Sequence, residues 1–245
     1  MEIKDLSKRF SGNSGFNINL ISNLSFSVSK GTVTTFLAPY GSGKSTLLKI
    51  IAGLEPATGG EINLLPHQKA VFIPSETSSL PWFSVNENFS LVTEKQELKS
   101  EIIKLLGLTG YENHHPDNKS RGFRFLISFG MALLSGADLI LIDEPFTNLS
   151  DLMKEKIFKV LRNVIQTKKI TLLFATSSLS DAVLLSDKIL LLKRNPLGVI
   201  DEMEISSPCE RDFELLKSPA FDDYKKQISD LFNRNNIEKV INLSF

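Results

Sequence analysis

Short apolar runs alternate with helical patterns along most of the chain. "VTTFL" (33–37), "DLILID" (138–143), "ITLLFAT" (170–176) and "KILLLK" (188–193) are continuous apolar stretches of strand length. Such runs suit strands buried on both faces of a parallel sheet. Segments with helical spacing lie between them, including 45–52, with Gly53 as a C-terminal stop, and 151–167. This alternation predicts an α/β fold with a parallel sheet. Two regions break the rhythm. Residues 18–28, "INLISNLSFSV", partly alternate, with Leu24, Phe26 and Val28 on one face, which predicts an antiparallel strand near the N-terminus. Residues 86–135 carry few strand signals, a helical stretch at 97–106 and a polar turn at 112–121, which predicts a helical insert.

Composition narrows the picture. The chain has 245 residues, 42% of them hydrophobic, enough for one sizeable core or a core plus a subdomain. Lys+Arg and Asp+Glu balance at 28 each, which gives no support for a nucleic-acid partner. The single cysteine, Cys209, cannot form an internal disulfide, which fits a reducing compartment. The N-terminus, "MEIKDLSKRF", is too charged for a signal peptide, and no apolar run approaches the ~18 residues of a spanning helix. Any membrane connection is therefore expected to come through a partner.

Residues 38–46 read Ala38, Pro39, Tyr40, Gly41, Ser42, Gly43, Lys44, Ser45, Thr46. The phosphate-loop pattern is glycine, four residues, then Gly-Lys-Ser/Thr, and here its first glycine is Ala38. Small residues between a strand and a helix let backbone N–H groups curl around phosphate oxygens at the positive end of the helix dipole. Lys44 is placed to reach the β- and γ-phosphates, and the Ser45 hydroxyl to ligate Mg²⁺. If position 38 needs a left-handed backbone, alanine costs roughly 1–2 kcal/mol; if not, its methyl only has to fit. "LILIDEPF" (139–146) ends an apolar strand in two carboxylates. Asp143 is expected to hold Mg²⁺, directly or through water, and Glu144 to polarise the attacking water. An acidic strand end capping a helix is the alternative for that pair.

With both segments in place, the sequence resembles the ATP-binding cassette family over nearly its whole length. It looks most like the ATPase subunits of nitrate/sulfonate/taurine-type importers. "LPWFSVNENF" (80–89) is similar to that group's "LPWxTVxENV" segment at Pro81, Trp82, Val85, Glu87 and Asn88. "RDFELLKSPAFDDYKKQI" (211–228) is similar to its C-terminal stretch. The resemblance implies a single ATP-binding domain with a RecA-like core (about 1–85 and 136–205). It adds an N-terminal antiparallel β-subdomain, an inserted α-helical subdomain (about 86–135) and a C-terminal tail (about 206–245). It implies ATP and Mg²⁺ as cofactors, and a homodimer or heterodimer of cassettes with ATP sandwiched between one subunit's phosphate loop and the other's signature motif. It further implies an integral membrane permease, a solute-binding protein in the same system, and a cytoplasmic position on the inner face of the membrane. Phe10 falls where the family places an aromatic that stacks on adenine; a core phenylalanine is the alternative.

Five motifs depart from the family pattern. The signature "LSGGQ" is "KSRGF" (119–123): Ser120 and Gly122 match, and the first glycine is Arg121. The glutamine that senses Mg²⁺ and water falls at Ser75, the switch histidine at Ser177 and the "SALD" aspartate at Ser150; Ala38 is the fifth. Losing one group that stabilises transition-state charge typically costs ~10²–10³ in rate. The expectation is thus ATP binding with slow or partner-dependent hydrolysis. The alternative is a regulatory or structural subunit with negligible ATPase activity, paired with an intact cassette. His114-His115 reads as a solvated pair and Lys168-Lys169 as a surface turn.

Overall fold

In the computed structural model, residues 1–11, 17–65, 68–76, 79–116, 121–205 and 213–234 are described. Ser120 and, in the tail, residues 206–212 with Cys209 and residues 235–245 lie outside them.

The long apolar runs form one six-stranded sheet in the order β5-β6-β7-β3-β8-β9. Its members are β3 (Val33–Leu37), β5 (Ala70–Ile73), β6 (Leu139–Asp143), β7 (Thr171–Thr176), β8 (Lys188–Lys193) and β9 (Gly198–Glu204). The first five in that order run parallel, and β9 joins β8 antiparallel. The reason these strands lack polar alternation is visible in their two-sided burial. Ile140, Ile142, Leu172 and Phe174 face one core, while Leu139, Leu141, Leu173 and Ala175 face the other.

A second, three-stranded antiparallel sheet has the order β2-β1-β4: β1 (Glu2–Ser11), β2 (Asn17–Ser27) and β4 (Gly59–Asn63). Leu24 and Phe26 of β2 are buried, as the partial alternation predicts, and Val28 is buried just beyond the strand. Phe26 meets Phe36 of β3 edge-on, with ring centroids 5.3 Å apart, which ties the small sheet to the large one. Helix α1 (Lys44–Ile51) packs in the same core, and Gly53 at φ 72 ends it.

The helical insert holds α2 (Val85–Ser90), α3 (Gln96–Leu105) and α4, described from Arg121 to Leu134. The turn expected at 112–121 thus gives way to helix by Arg121. The insert packs on the other core, beside α5 (Asp151–Lys168) and α6 (Leu179–Leu185). Inside it Phe125 stacks with Phe129 and meets Phe146 edge-on, which joins α4 to the segment after β6. Lys168 pairs with Glu101, and Lys169 ends α5 at φ 55, a surface turn as expected. A 3₁₀ turn (Phe213–Lys217) and α7 (Pro219–Arg234) close the described chain. Among the described residues no helix is long and apolar enough to cross a membrane.

Candidate nucleotide site

Three strands end together. Leu37 of β3 lies opposite Thr176 of β7, and Ala175 of β7 opposite Asp143 of β6. The ladder runs one residue further. The Ala38 N–H donates to the Thr176 carbonyl (3.3 Å) and the Glu144 N–H to the Ala175 carbonyl (3.0 Å). Residues 38–46, the Asp143-Glu144 pair and Ser177 therefore leave the sheet at one carboxyl edge, where open parallel sheets hold their ligands.

The loop settles the question of its first residue. Its left-handed positions are Gly41 (φ 73) and Gly43 (φ 104); Ala38 is not among them. Alanine there carries no left-handed strain, and its methyl is fully buried in the core that holds Leu47 and Leu48. Gly43 is the position that needs glycine. Besides its φ, a Cβ there would lie 3.1 Å from the Leu20 side chain of β2. Pro39 and Ser42 are buried, and Tyr40 projects, 81% exposed. Helix α1 opens at Lys44 with no side-chain cap and no acidic residue in its first turn, so its first N–H groups stay available to an anion. Ser45 and Thr46 sit half-buried in that turn.

Charges converge on the same point. The Lys44 ammonium donates to the carbonyls of Ala38 (2.9 Å) and Pro39 (3.1 Å) and pairs with Glu144 Oε1 at 3.1 Å. Glu144 Oε2 accepts from the Ser177 N–H at 3.3 Å. Glu144 sits at φ 43, a region that non-glycine residues seldom use and that clusters at functional sites. Asp143 is buried, and its Oδ1 has no hydrogen-bond partner among the described residues; the buried Ser42 Oγ has none either. A buried carboxylate oxygen without a donor suits a hard cation. The residues present fit Mg²⁺: Asp143 and Ser45 would supply oxygens, and phosphates and water would complete the shell. Among the described residues no cluster of three or more His, Cys, Asp or Glu forms a self-contained metal site. His114 and His115 are exposed, and His114 lies against Tyr111.

The altered positions fall in separate places. Ser177 belongs to the charge cluster, but through its backbone N–H. Arg121 and Ser150 are brought together elsewhere: both are exposed, and both line a cavity of about 460 Å³ with Asn148, Leu149 and Met153. Ser150 precedes α5 as its N-cap residue without a side-chain capping bond. Gly122 is buried beside them, where a Cβ would lie 2.8 Å from Met153 Cγ and 2.9 Å from Ile157 Cδ1. Ser75 is exposed in the bend after β5. Phe10 is 41% exposed on β1, which rules out the core alternative for it.

Two arrangements escaped the sequence. Asp181 is buried at the start of α6 and paired with Lys154 of α5 at 2.9 Å. Burial pushes its carboxyl above the ordinary range, against the opposing pull of Lys154. The partners stand on separate helices, so no periodic signal marks them. In the segment 80–89, Asn88 is fully buried. Its Oδ1 accepts from the Leu80 N–H (2.8 Å) and its Nδ2 donates to the carbonyls of Leu80, Phe83 and Ser84. Ser84 and Glu87 form a reciprocal capping box at the start of α2. These bonds hold the Pro81-Trp82 turn, from which Trp82 projects 66% exposed.

A phosphate loop after one parallel strand and paired carboxylates after another define a P-loop NTPase fold. The ABC transporter family model matches residues 21–147. An aliphatic sulfonates import ATP-binding protein, SsuB of Bacillus cereus, is 31% identical over 243 residues, 95% of this chain and 95% of that protein. The formylaminopyrimidine import ATP-binding protein ThiZ of Halalkalibacterium halodurans is 34% identical over 203 residues, 80% of this chain and 82% of that one. The chain belongs to the ABC transporter ATP-binding family. Its fold matches the crystal structure of a nucleotide-free ATP-binding cassette from an ABC transporter (TM-score 0.72, 20% identity, 94% of this chain and 97% of that one).

Proposed function

We propose that the chain is the ATP-binding, energy-coupling subunit of an importer for a small solute, with slow or partner-dependent hydrolysis. The similarity to import ATP-binding proteins along nearly the full length carries this reading. The convergence of Lys44, Asp143 and Glu144 at one sheet edge supports it chemically.

In this reading the N–H groups of residues 41–46 cradle the phosphates. Lys44 leaves Glu144 and the loop carbonyls to pair with the β- and γ-phosphates, which frees the Glu144 carboxylate to orient and deprotonate water. Asp143 and Ser45 hold Mg²⁺, which when bound neutralises phosphate charge. The backbone N–H of Ser177 keeps Glu144 aimed. Phe10 offers an exposed ring to the base. Arg121 and Gly122 face the nucleotide of a second cassette, identical or not, and Ser120, outside the described residues, belongs to the same motif. The segment around Pro81-Trp82 meets an integral membrane permease, which keeps the chain at the inner face of the membrane, and a solute-binding protein delivers cargo.

The side-chain changes at Ser75, Arg121, Ser150 and Ser177 favour a second reading, a regulatory subunit that binds ATP without turning it over. Purification of the tagged chain from detergent-solubilised membranes tests the first. Co-purification of a permease whose presence raises ATP turnover is expected. A chain recovered without membrane protein, or a complex whose nucleotide turnover is nil, would overturn it.

A further inference from the structure

We infer that Lys8 is a positioning residue for nucleotide, acting through the Phe10 ring. The inference rests on the reading of Phe10 as the base contact. Lys8 is 5% exposed although it carries a charge. Its ammonium is fixed by two bonds, to Glu55 Oε1 at 2.6 Å and to the Pro56 carbonyl at 2.7 Å. It also lies over the Phe10 ring, 4.7 Å from the centroid. Glu55 and Pro56 lie in the turn that follows α1 (Lys44–Ile51), the helix that opens at the phosphate loop.

A cation within about 6 Å of an aromatic face is attracted by the ring's quadrupole, most strongly where water is excluded. Lys8 therefore occupies one face of Phe10. An incoming base has the other face, and the result is a three-layer stack of ammonium, phenyl ring and base. An exposed ring on a strand near a hairpin end would otherwise have to be ordered by the ligand, at a cost to affinity. Lys8 orders it beforehand. Because its anchor sits in the turn after α1, Lys8 also sets the spacing between the base platform and the phosphate cradle. Lys8 contacts no reacting atom and holds a group that does.

Titration calorimetry with Mg·ATP and with Mg·tripolyphosphate, which lacks base and sugar, separates these roles. Lys8→Met keeps the apolar stem and removes the cation. It should weaken Mg·ATP by about threefold to tenfold and leave Mg·tripolyphosphate unchanged. Lys8→Arg should restore most of the ATP affinity. Phe10→Ala should show the same selective loss, and the Lys8→Met/Phe10→Ala double variant should lose no more than Phe10→Ala alone. Glu55→Gln, which loosens the anchor without touching β1, should act in the same direction more weakly, and it stands in if Lys8→Met does not fold. Equal weakening of both ligands by Lys8→Met would mark a purely structural residue and overturn the inference. A selective loss in Phe10→Ala with none in Lys8→Met or Glu55→Gln would also overturn it, while leaving the base contact intact. No loss in Phe10→Ala would instead refute Phe10 as the platform.

Discussion

At the carboxyl edge of the sheet, Lys44, Asp143 and Glu144 keep the residue types that the proposed triphosphate hydrolysis needs, with Lys44 held against Glu144. At the starts of α4 and α5, Arg121 and Ser150 keep the frame and change the side chains. The first region is buried and cross-linked: Lys44 is held by two carbonyls and Glu144, and Glu144 by Ser177. The second is exposed, and its one constrained member is Gly122, which Met153 and Ile157 leave no room to enlarge. The difference separates two kinds of contribution. What a position supplies through backbone or packing survives a change of side chain; what it supplies through a functional group does not. Ser177 shows both at once. Its N–H still holds Glu144, yet it carries no imidazole.

Damage to the intact region should have the largest effect. Glu144→Gln should lower ATP turnover by about 10²–10⁴-fold while Mg·ATP still binds, read by phosphate release and by calorimetry. If turnover is unaffected, the carboxylate edge is not where water is activated. The next test repairs the altered region. Ser177→His or Arg121→Gly should each raise turnover by about tenfold, a fraction of what one transition-state contact is worth. The two gains need not multiply.

Stability separates the neighbours in the altered region. Gly122→Ala should cost about 1–3 kcal/mol in denaturant unfolding, because the new methyl must displace Met153 and Ile157. Arg121→Ala, one residue away and exposed, should stay within about 0.5 kcal/mol. The smallest effect lies in the segment after Pro81. The Ser84 N–H and hydroxyl hold the Glu87 carboxyl below its ordinary range. Because the folded pKa is depressed, the capping box stabilises above the unfolded value of about 4.3 and is lost as pH falls below it. The difference in thermal midpoint between wild type and Glu87→Ala should therefore be present at pH 7 and shrink as the solution is acidified.

Legibility in the sequence follows the same physics. β3, β6, β7 and β8 of the large sheet are plain because both their faces are buried, and buried runs such as "LILID" admit no polar residue. β1, β4, β5 and β9 are not, since β1, β4 and β9 are half-exposed or bulged and β5 is only four residues long. Within the site, the phosphate loop and the carboxylate pair are contiguous motifs and could be named residue by residue. The tolerance of Ala38 could not, because it depends on a backbone angle. Nor could the Lys8–Phe10–Glu55 cluster, since Glu55 reaches β1 only through the turn after α1.

In the proposed reading this chain holds Mg·ATP with its intact edge, and its altered positions limit hydrolysis. Mg·ATP affinity and steady-state phosphate release, measured on the same purified, partner-free protein, decide between binding and turnover. Saturable binding that Lys44→Ala abolishes, with turnover well below one per second, is the expected result. Turnover of several per second without a partner would contradict it.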